Sequence, residues 1–309
     1  MLDEEIRRRP LTVEQLARVG DAIAPGTRVV AAEPLPGGIA TATYHLRTTS
    51  GDHVLRVYRG SDERDPVRAC RAAHDVLASV SRATRLAPRP VVGDPDGRLV
   101  GEPVLVTTYF GGAPLAPDGS ASWTEQLADA LVEIHGAPLA RLERVTADKT
   151  PRERVDRVKA SPPETHDPLW EEAVAMLDAR ADAVRPNPRT LIHADLWFGN
   201  TVWRDGRLVG VIDWDSARIG DPARDVACAR ADLRLRPGDE QARVFLEHYE
   251  ARRGPLSDIA FWDLLADLGP LRWLAHFLQG YIELGAPLSM DEGRRRAERA
   301  VRADLDTLR

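Results

Sequence analysis

The stretch "LIHADLWFGN", residues 191–200, brings His193, Asp195 and Asn200 close together around a Trp-Phe-Gly turn. A buried apolar strand does not need them, and a solvated loop does not need the Leu191-Ile192 lead-in. Further on, "GVIDWD" supplies Asp213. Between the two, Asp205-Gly206 separates alternating apolar runs, a strong signal for a two-residue hairpin. With that pair at the turn, Arg204 faces Arg207 and Asn200 faces Val211. Alternation then puts Asn200, Val211 and Asp213 on one face, with Asn200 and Asp213 as diagonal neighbours roughly 7–8 Å apart at Cα. Two oxygen-bearing side chains at that spacing converge on one small cation. Mg²⁺ takes oxygen ligands, few of them from protein, and completes its shell with phosphates and waters. An amide at Asn200 adds a ligand without adding charge beside a polyphosphate. Asp195, on the loop before the hairpin, is placed to orient or deprotonate an attacking hydroxyl. His193, a lone histidine after an apolar strand, is expected to brace the loop through hydrogen bonds.

The elements that must position these groups follow from periodicity. "TVEQLARVGDAI" (12–23) predicts an amphipathic helix with a Thr12/Gln15 capping box. Residues 25–110 predict a mostly antiparallel sheet interrupted by one helix over 65–84. After the small-residue connector "GGAPLAPDGS" (111–120) the pattern turns helical, at 123–136, 151–160 and 167–184. A short β segment covers 189–214, and helices return at 222–235, 239–252, 258–284 and 291–308. The expected division is a β-rich part over 1–110 and a larger helical part over 111–309, with a hinge near 107–113.

H-x-D-x₄-N followed by an I-D strand is the catalytic signature of the kinase-like fold. In detail the chain resembles the aminoglycoside phosphotransferase and choline kinase family. The resemblance rests on "IHADLWFGN", the spacing to "GVIDWDSARIGDPARDVA" and the upstream "LPGGIATATY", and extends over nearly the whole chain. It implies an α+β, bilobal protein-kinase-like fold, with a small β-rich N-lobe that binds nucleotide and a larger, mainly helical C-lobe. It implies an ATP-dependent O-phosphotransferase, GTP remaining open as the donor, with Asp195 as catalytic base or orienting residue. Asn200 and Asp213 would hold Mg²⁺ bridging the phosphates. Gly37 and Gly38 would let the backbone approach the polyphosphate. Backbone groups from Thr108 to Phe110 would take the purine edge. Asp221, followed by a proline, reads as a helix N-cap, and Asp225 as a structural carboxylate steadying the catalytic loop. Asp215 and Trp197 are candidates for the acceptor site, Asp215 equally for outer support of the metal.

The sequence departs from the family pattern in three places. Relatives often carry asparagine where this chain has Thr41. Where relatives carry lysine for the α- and β-phosphates, this chain has Arg56, and no lysine precedes Lys149. Arginine stays charged and forks well onto phosphate, but differs in reach. The following helix offers no glutamate to hold that cation, since none occurs between Glu63 and Glu102; Asp75 is the nearest substitute.

Composition limits the remaining choices. A net charge of −6 argues against a general nucleic-acid binder. The two cysteines, Cys70 and Cys228, form no CxxC, so neither a disulfide framework nor a zinc site is expected. No signal peptide or membrane span is apparent, and with the two unpaired-looking cysteines this fits the cytoplasm; a monomer or homodimer is expected. The expected partners are nucleotide and a small hydroxylated acceptor, an antibiotic or a metabolite. Acids for a cationic acceptor are available at Asp232, Asp263, Asp267 and Glu283. Two other readings compete. Arg56 and the absent glutamate favour a nucleotide-binding pseudokinase, and His193 with the "DWD" aspartates would suit a metal-dependent hydrolase.

Overall fold

The computed structural model describes residues 10–35, 41–59, 65–115 and 120–309. The chain forms two compact units, residues 1–111 and 112–309. In the first, helix α1 (Val13–Ile23) opens on a reciprocal cap: Gln15 N donates to Thr12 Oγ1, and Thr12 N donates to Gln15 Oε1. Five antiparallel strands follow in the order β1-β2-β3-β5-β4: β1 (Val29–Pro34), β2 (Thr41–Thr48), β3 (Gly51–Tyr58), β4 (Pro90–Asp94) and β5 (Val104–Thr108). Alternation sends Tyr44 and Leu46, Leu55 and Val57, and Val104 and Val106 into one core with Val19 of α1. Helix α2 (Pro66–Ala83) starts at Asp65, whose carboxylate accepts from Val67 N and Arg68 N.

The second unit is mainly helical: α3 (Ala121–His135), α4 (Pro151–Lys159), α5 (Pro168–Arg180), α6 (Pro222–Leu235), α7 (Asp239–Arg253), α8 (Ile259–Glu283) and α9 (Met290–Leu308). Helix α6 is buried along most of its length and packs against α7, α8 and α9. Pro270 withholds a donor inside α8, and the helix departs from helical geometry at Trp273. No described helix is long and apolar enough to cross a membrane.

Two small sheets lie among these helices. β6 (Thr190–Ile192) pairs with β9 (Arg218–Gly220), a strand that the periodicity does not reveal because it is only three residues long. β7 (Thr201–Arg204) and β8 (Arg207–Val211) form the expected hairpin. Asp205 (φ 51°) and Gly206 (φ 72°) both lie in the left-handed region, as a type I′ turn requires.

The register of that hairpin corrects the sequence expectation. Arg204 does face Arg207, and Trp203 faces Leu208, but Val202 faces Gly210 and Thr201 faces Val211. Val209 is the extra residue of a β-bulge, so Asn200 moves one place along and its carbonyl accepts from Ile212 N at 2.8 Å. Strand β7 has no slack to give. The Trp203 ring stacks on Trp123 of α3 at 4.9 Å, and Trp203 pairs with Ala113 through both backbone groups. Gln126 of α3 holds the turn end, donating to Gly206 O and accepting from Leu208 N. The turn gives a direct stability test. Gly206→Ala should cost about 1–2 kcal/mol in denaturant unfolding, the penalty for an L side chain at positive φ. Asp205→Asn should be close to neutral, because asparagine tolerates that region.

Candidate active site

Strand β6 ends in a sharp turn. Ala194 has φ 68°, although it is not glycine. Asp225, in the first turn of α6 and completely buried, holds it there. Its Oδ2 accepts from His193 N at 2.6 Å and its Oδ1 from Ala194 N at 2.7 Å. Behind it, His135 Nε2 lies 3.3 Å from Asp225 Oδ2, and His135 Nδ1 lies 2.7 Å from Tyr249 Oη. Burial alone would push the Asp225 carboxyl up. The hydrogen bond and charge of His135, with the charge and amide of His193, outweigh it and hold the group below the usual carboxylate range. His193 Nε2 donates to the Ile212 carbonyl at 2.9 Å, and its ring meets Trp214 edge-on at 4.7 Å. The turn and the end of the hairpin are thereby joined.

Beyond the turn, Leu196 and Phe198 are fully buried while Asp195 is exposed. Asn200 Nδ2 donates to the Asp195 carbonyl at 2.8 Å and to its carboxylate at 3.3 Å. Crowding by protein atoms pushes the Asp195 pKa up to about 6 and the Asp213 carboxylate adds to the rise, against His193, the Asn200 amide and Arg224. The open side of Asp195 keeps water in contact with it, which offsets part of this desolvation. Asp213 follows Ile212 in the left-handed conformation (φ 61°, ψ 59°), which breaks the pleat and turns it out of the strand alternation. It is exposed, as is Asp215 on the next short turn.

These residues fit a hard cation. With Nδ2 of Asn200 committed to Asp195, Oδ1 is the amide atom left to ligate. Two carboxylates close enough to raise a pKa are stabilised by a positive ion. The shared-face argument for Asn200 and Asp213 is replaced: the bulge and the positive φ at Asp213, rather than a regular diagonal, set their relation.

Other candidates fall as follows. Asp221 caps α6, accepting from Ala223 N at 2.9 Å, and also takes Asn187 N and Nδ2. Trp197 is half-buried. In the first unit, Arg56 of β3 lies with its guanidinium 5.3 Å from the Tyr58 ring centroid, and Asp75 of α2 lies 3.6 Å from His74 Nδ1. The Thr108 amide donates to Arg89 O at 2.9 Å. Phe110 comes after the end of β5. Gly37 and Gly38 lie outside the described residues.

The proposed pocket acids are corrected. Asp263 and Asp267 are buried and engaged by Arg230 and Arg234, and Asp232 is buried against Tyr281 and the Phe198 amide. Glu283 is exposed and bonded by Gln279. Sequence reasoning missed Arg224, which donates to the Ala194 carbonyl at 3.2 Å and to Asp148 at 3.1 Å, and missed His135. A histidine closing the apolar face of α3 was the available signal.

Asp225→Ala removes the acceptor of two buried amides and should cost about 3–5 kcal/mol of unfolding free energy at pH 7. Because folding lowers this pKa, the contribution is in place above the unfolded-state value and is lost as pH falls through the folded one. The gap between wild type and Asp225→Asn in thermal unfolding should therefore narrow in acid.

Comparison with known proteins bears on the family and the fold. The model of the phosphotransferase enzyme family, APH, matches residues 31–287. A homoserine kinase of Granulibacter bethesdensis is 28% identical over 224 residues, covering 65% of this chain and 64% of that relative. Less than two thirds of that protein is thus spanned. A homoserine kinase of Acidiphilium cryptum is 27% identical, with 74% of each chain covered. Among solved structures, a macrolide 2′-phosphotransferase of Brachybacterium faecium superposes with a TM-score of 0.62 at 21% identity, covering 93% of this chain and 98% of that one. The choline kinase of Streptococcus pneumoniae gives 0.57 at 22%, covering 90% and 94%. An aminoglycoside phosphotransferase in ternary complex with ADP and hygromycin B gives 0.62 at 18%, covering 91% and 95%. With its small antiparallel sheet, its larger helical part and a family match over most of its length, the chain belongs to the phosphotransferase enzyme family and has its kinase-like fold.

Proposed function

We propose that the chain is a Mg²⁺- and ATP-dependent O-phosphotransferase that moves the γ-phosphate to a hydroxyl of a small molecule. The observation that carries this reading is the Asp195–Asn200–Asp213 arrangement: an exposed carboxylate bonded to an amide, with a second carboxylate near enough to raise its pKa. Asn200 Oδ1 and Asp213 would hold Mg²⁺, which when bound offsets the charge of the phosphates. Asp195 orients the acceptor hydroxyl and takes its proton as the acceptor oxygen bonds to the γ-phosphorus and the bond to the β–γ bridging oxygen breaks, releasing ADP; its raised pKa suits that task near neutral pH. Arg56 contributes charge to the phosphates, and residues up to Phe110 contribute backbone groups to the base. Asp225 and His193 fix the loop, Asp221 fixes α6, and Trp197 and Asp215 belong to the acceptor side. Hydroxylated amino acids and amino alcohols are the first acceptors to consider, since the relatives matched over 65% and 74% of this chain are named homoserine kinases. Aminoglycosides come second. Work inside a cell, where ATP is supplied, suits this chemistry.

The competing reading, a nucleotide-binding regulator without turnover, draws on Arg56 in place of lysine. Measuring Mg²⁺-ATP-dependent ADP release across hydroxylated amino acids, amino alcohols, sugars, aminoglycosides and macrolides separates the two. The enzyme reading expects release stimulated by one class and reduced at least about 100-fold in Asp195→Asn, with nucleotide affinity nearly intact. Stimulated release that survives in Asp195→Asn contradicts the role given to Asp195. Nucleotide binding without stimulated release across the panel favours the regulator.

A further inference from the structure

The loop from Asp195 to Asn200 has a second anchor besides Asp225. Helix α6 carries Asp232 two turns beyond Asp225, and it is 1% exposed. Its Oδ2 accepts from the Phe198 amide at 3.1 Å, and its Oδ1 accepts from the Tyr281 hydroxyl of α8. The Tyr281 and Phe198 rings stack at 5.9 Å, and Tyr281 is fully buried. One residue earlier, Gly280 leaves room for Trp197: a Cβ there would stand 2.8 Å from the indole ring. A Cβ at Gly199 would stand 2.2 Å from the same ring. The loop is thus seated on α8 by two consecutive side chains, Trp197 over Gly280 and Phe198 over Tyr281, and its amide is fixed by Asp232.

We propose that Asp232 and Tyr281 are positioning residues, which set the placement of Asp195 by holding the Phe198 amide and seating the catalytic loop on α8. This rests on the phosphotransferase reading for its effect on rate. The geometry gives this buried carboxylate of α6 two partners, the Phe198 amide and the Tyr281 hydroxyl. An alanine there would leave the Phe198 N–H buried without an acceptor, and the loop would shift to recover one. Small displacements of a reacting group cost rate far more than they cost binding of a nucleotide held by other residues. Asparagine at the same place offers an acceptor to Phe198 and a donor to Tyr281.

The test uses the full chain labelled with ¹⁵N-phenylalanine; the five phenylalanines keep the spectrum simple. The variants are Asp232→Ala, Asp232→Asn and Tyr281→Phe, with Ile282→Ala, an exposed neighbour on α8, as control. The Phe198 amide resonance should move in Asp232→Ala and stay near its wild-type position in Asp232→Asn and Ile282→Ala. Turnover of the acceptor found in the panel should fall about tenfold or more in Asp232→Ala and recover in Asp232→Asn, with the KM for ATP and the affinity for Mg²⁺-ADP within about twofold of wild type. Tyr281→Phe should show a smaller loss of the same kind, and decides the matter should Asp232→Ala fail to fold. Unchanged turnover in the variants, or a loss of nucleotide affinity in step with turnover, overturns the positioning role. A wild-type chain that turns over no acceptor overturns the phosphotransferase reading alone. The Phe198 resonance then decides the anchor: no movement in Asp232→Ala, or in Tyr281→Phe where that variant stands in, overturns it.

Discussion

One buried carboxylate accepting two adjacent backbone amides underlies the site. Ala194 sits at positive φ, a conformation that costs an L residue roughly 1–2 kcal/mol, and its amide and that of His193 follow a fully buried strand. Left unpaired, each would cost more than the strain itself. Asp225 takes both, and His135, with the charge and amide of His193, holds its pKa below the usual carboxylate range despite complete burial. The turn so held reverses the chain, so that Leu196 and Phe198 go inward while Asp195 remains at the surface. Helix α6 thus reaches the loop from below at two points, Asp225 before Asp195 and Asp232 after it.

The electrostatics follow from this arrangement. Burial raises the Asp195 pKa and the Asp213 carboxylate adds to the rise, a crowding of negative charge that a bound cation would offset. Elsewhere the same helices use their acids differently. Arg230 and Arg234 on α6 engage Asp263 and Asp267 on α8, and Arg234 also engages Asp304 on α9. Burial and the neighbouring Asp267 push the Asp304 pKa up to about 9, in a cluster where three carboxyls meet two guanidiniums. The excess of arginine over lysine in the sequence has a structural use here, because a planar fork can serve several carboxylates at once.

How much of this was legible in the sequence depended on range. The Asp205-Gly206 turn, the Thr12/Gln15 cap and the core alternation of β2 and β3 are local, and local chemistry specifies them. The bulge at Val209 was not legible, because it follows from Trp203 stacking on Trp123 eighty residues earlier. That bulge and the positive φ at Asp213 invalidated the simple face argument for Asn200 and Asp213, although both residues do flank the same hairpin. Asp232, Asp263 and Asp267 read in the sequence as candidate acids for a cationic acceptor, and the structure buries all three. Their partners, Tyr281, Arg230 and Arg234, lie one helix away, and nothing in their own neighbourhoods reveals it. Strand β9 escaped because three residues carry too little periodicity to register.

The central claim is that Asp225 locks the turn before Asp195. Residue-resolved hydrogen exchange at the His193 and Ala194 amides tests it most directly, since neither amide belongs to a helix or a strand. The account predicts that both exchange as slowly as the interior of α6, and that both lose this protection in Asp225→Ala. Exchange at ordinary loop rates in the wild-type chain would contradict it.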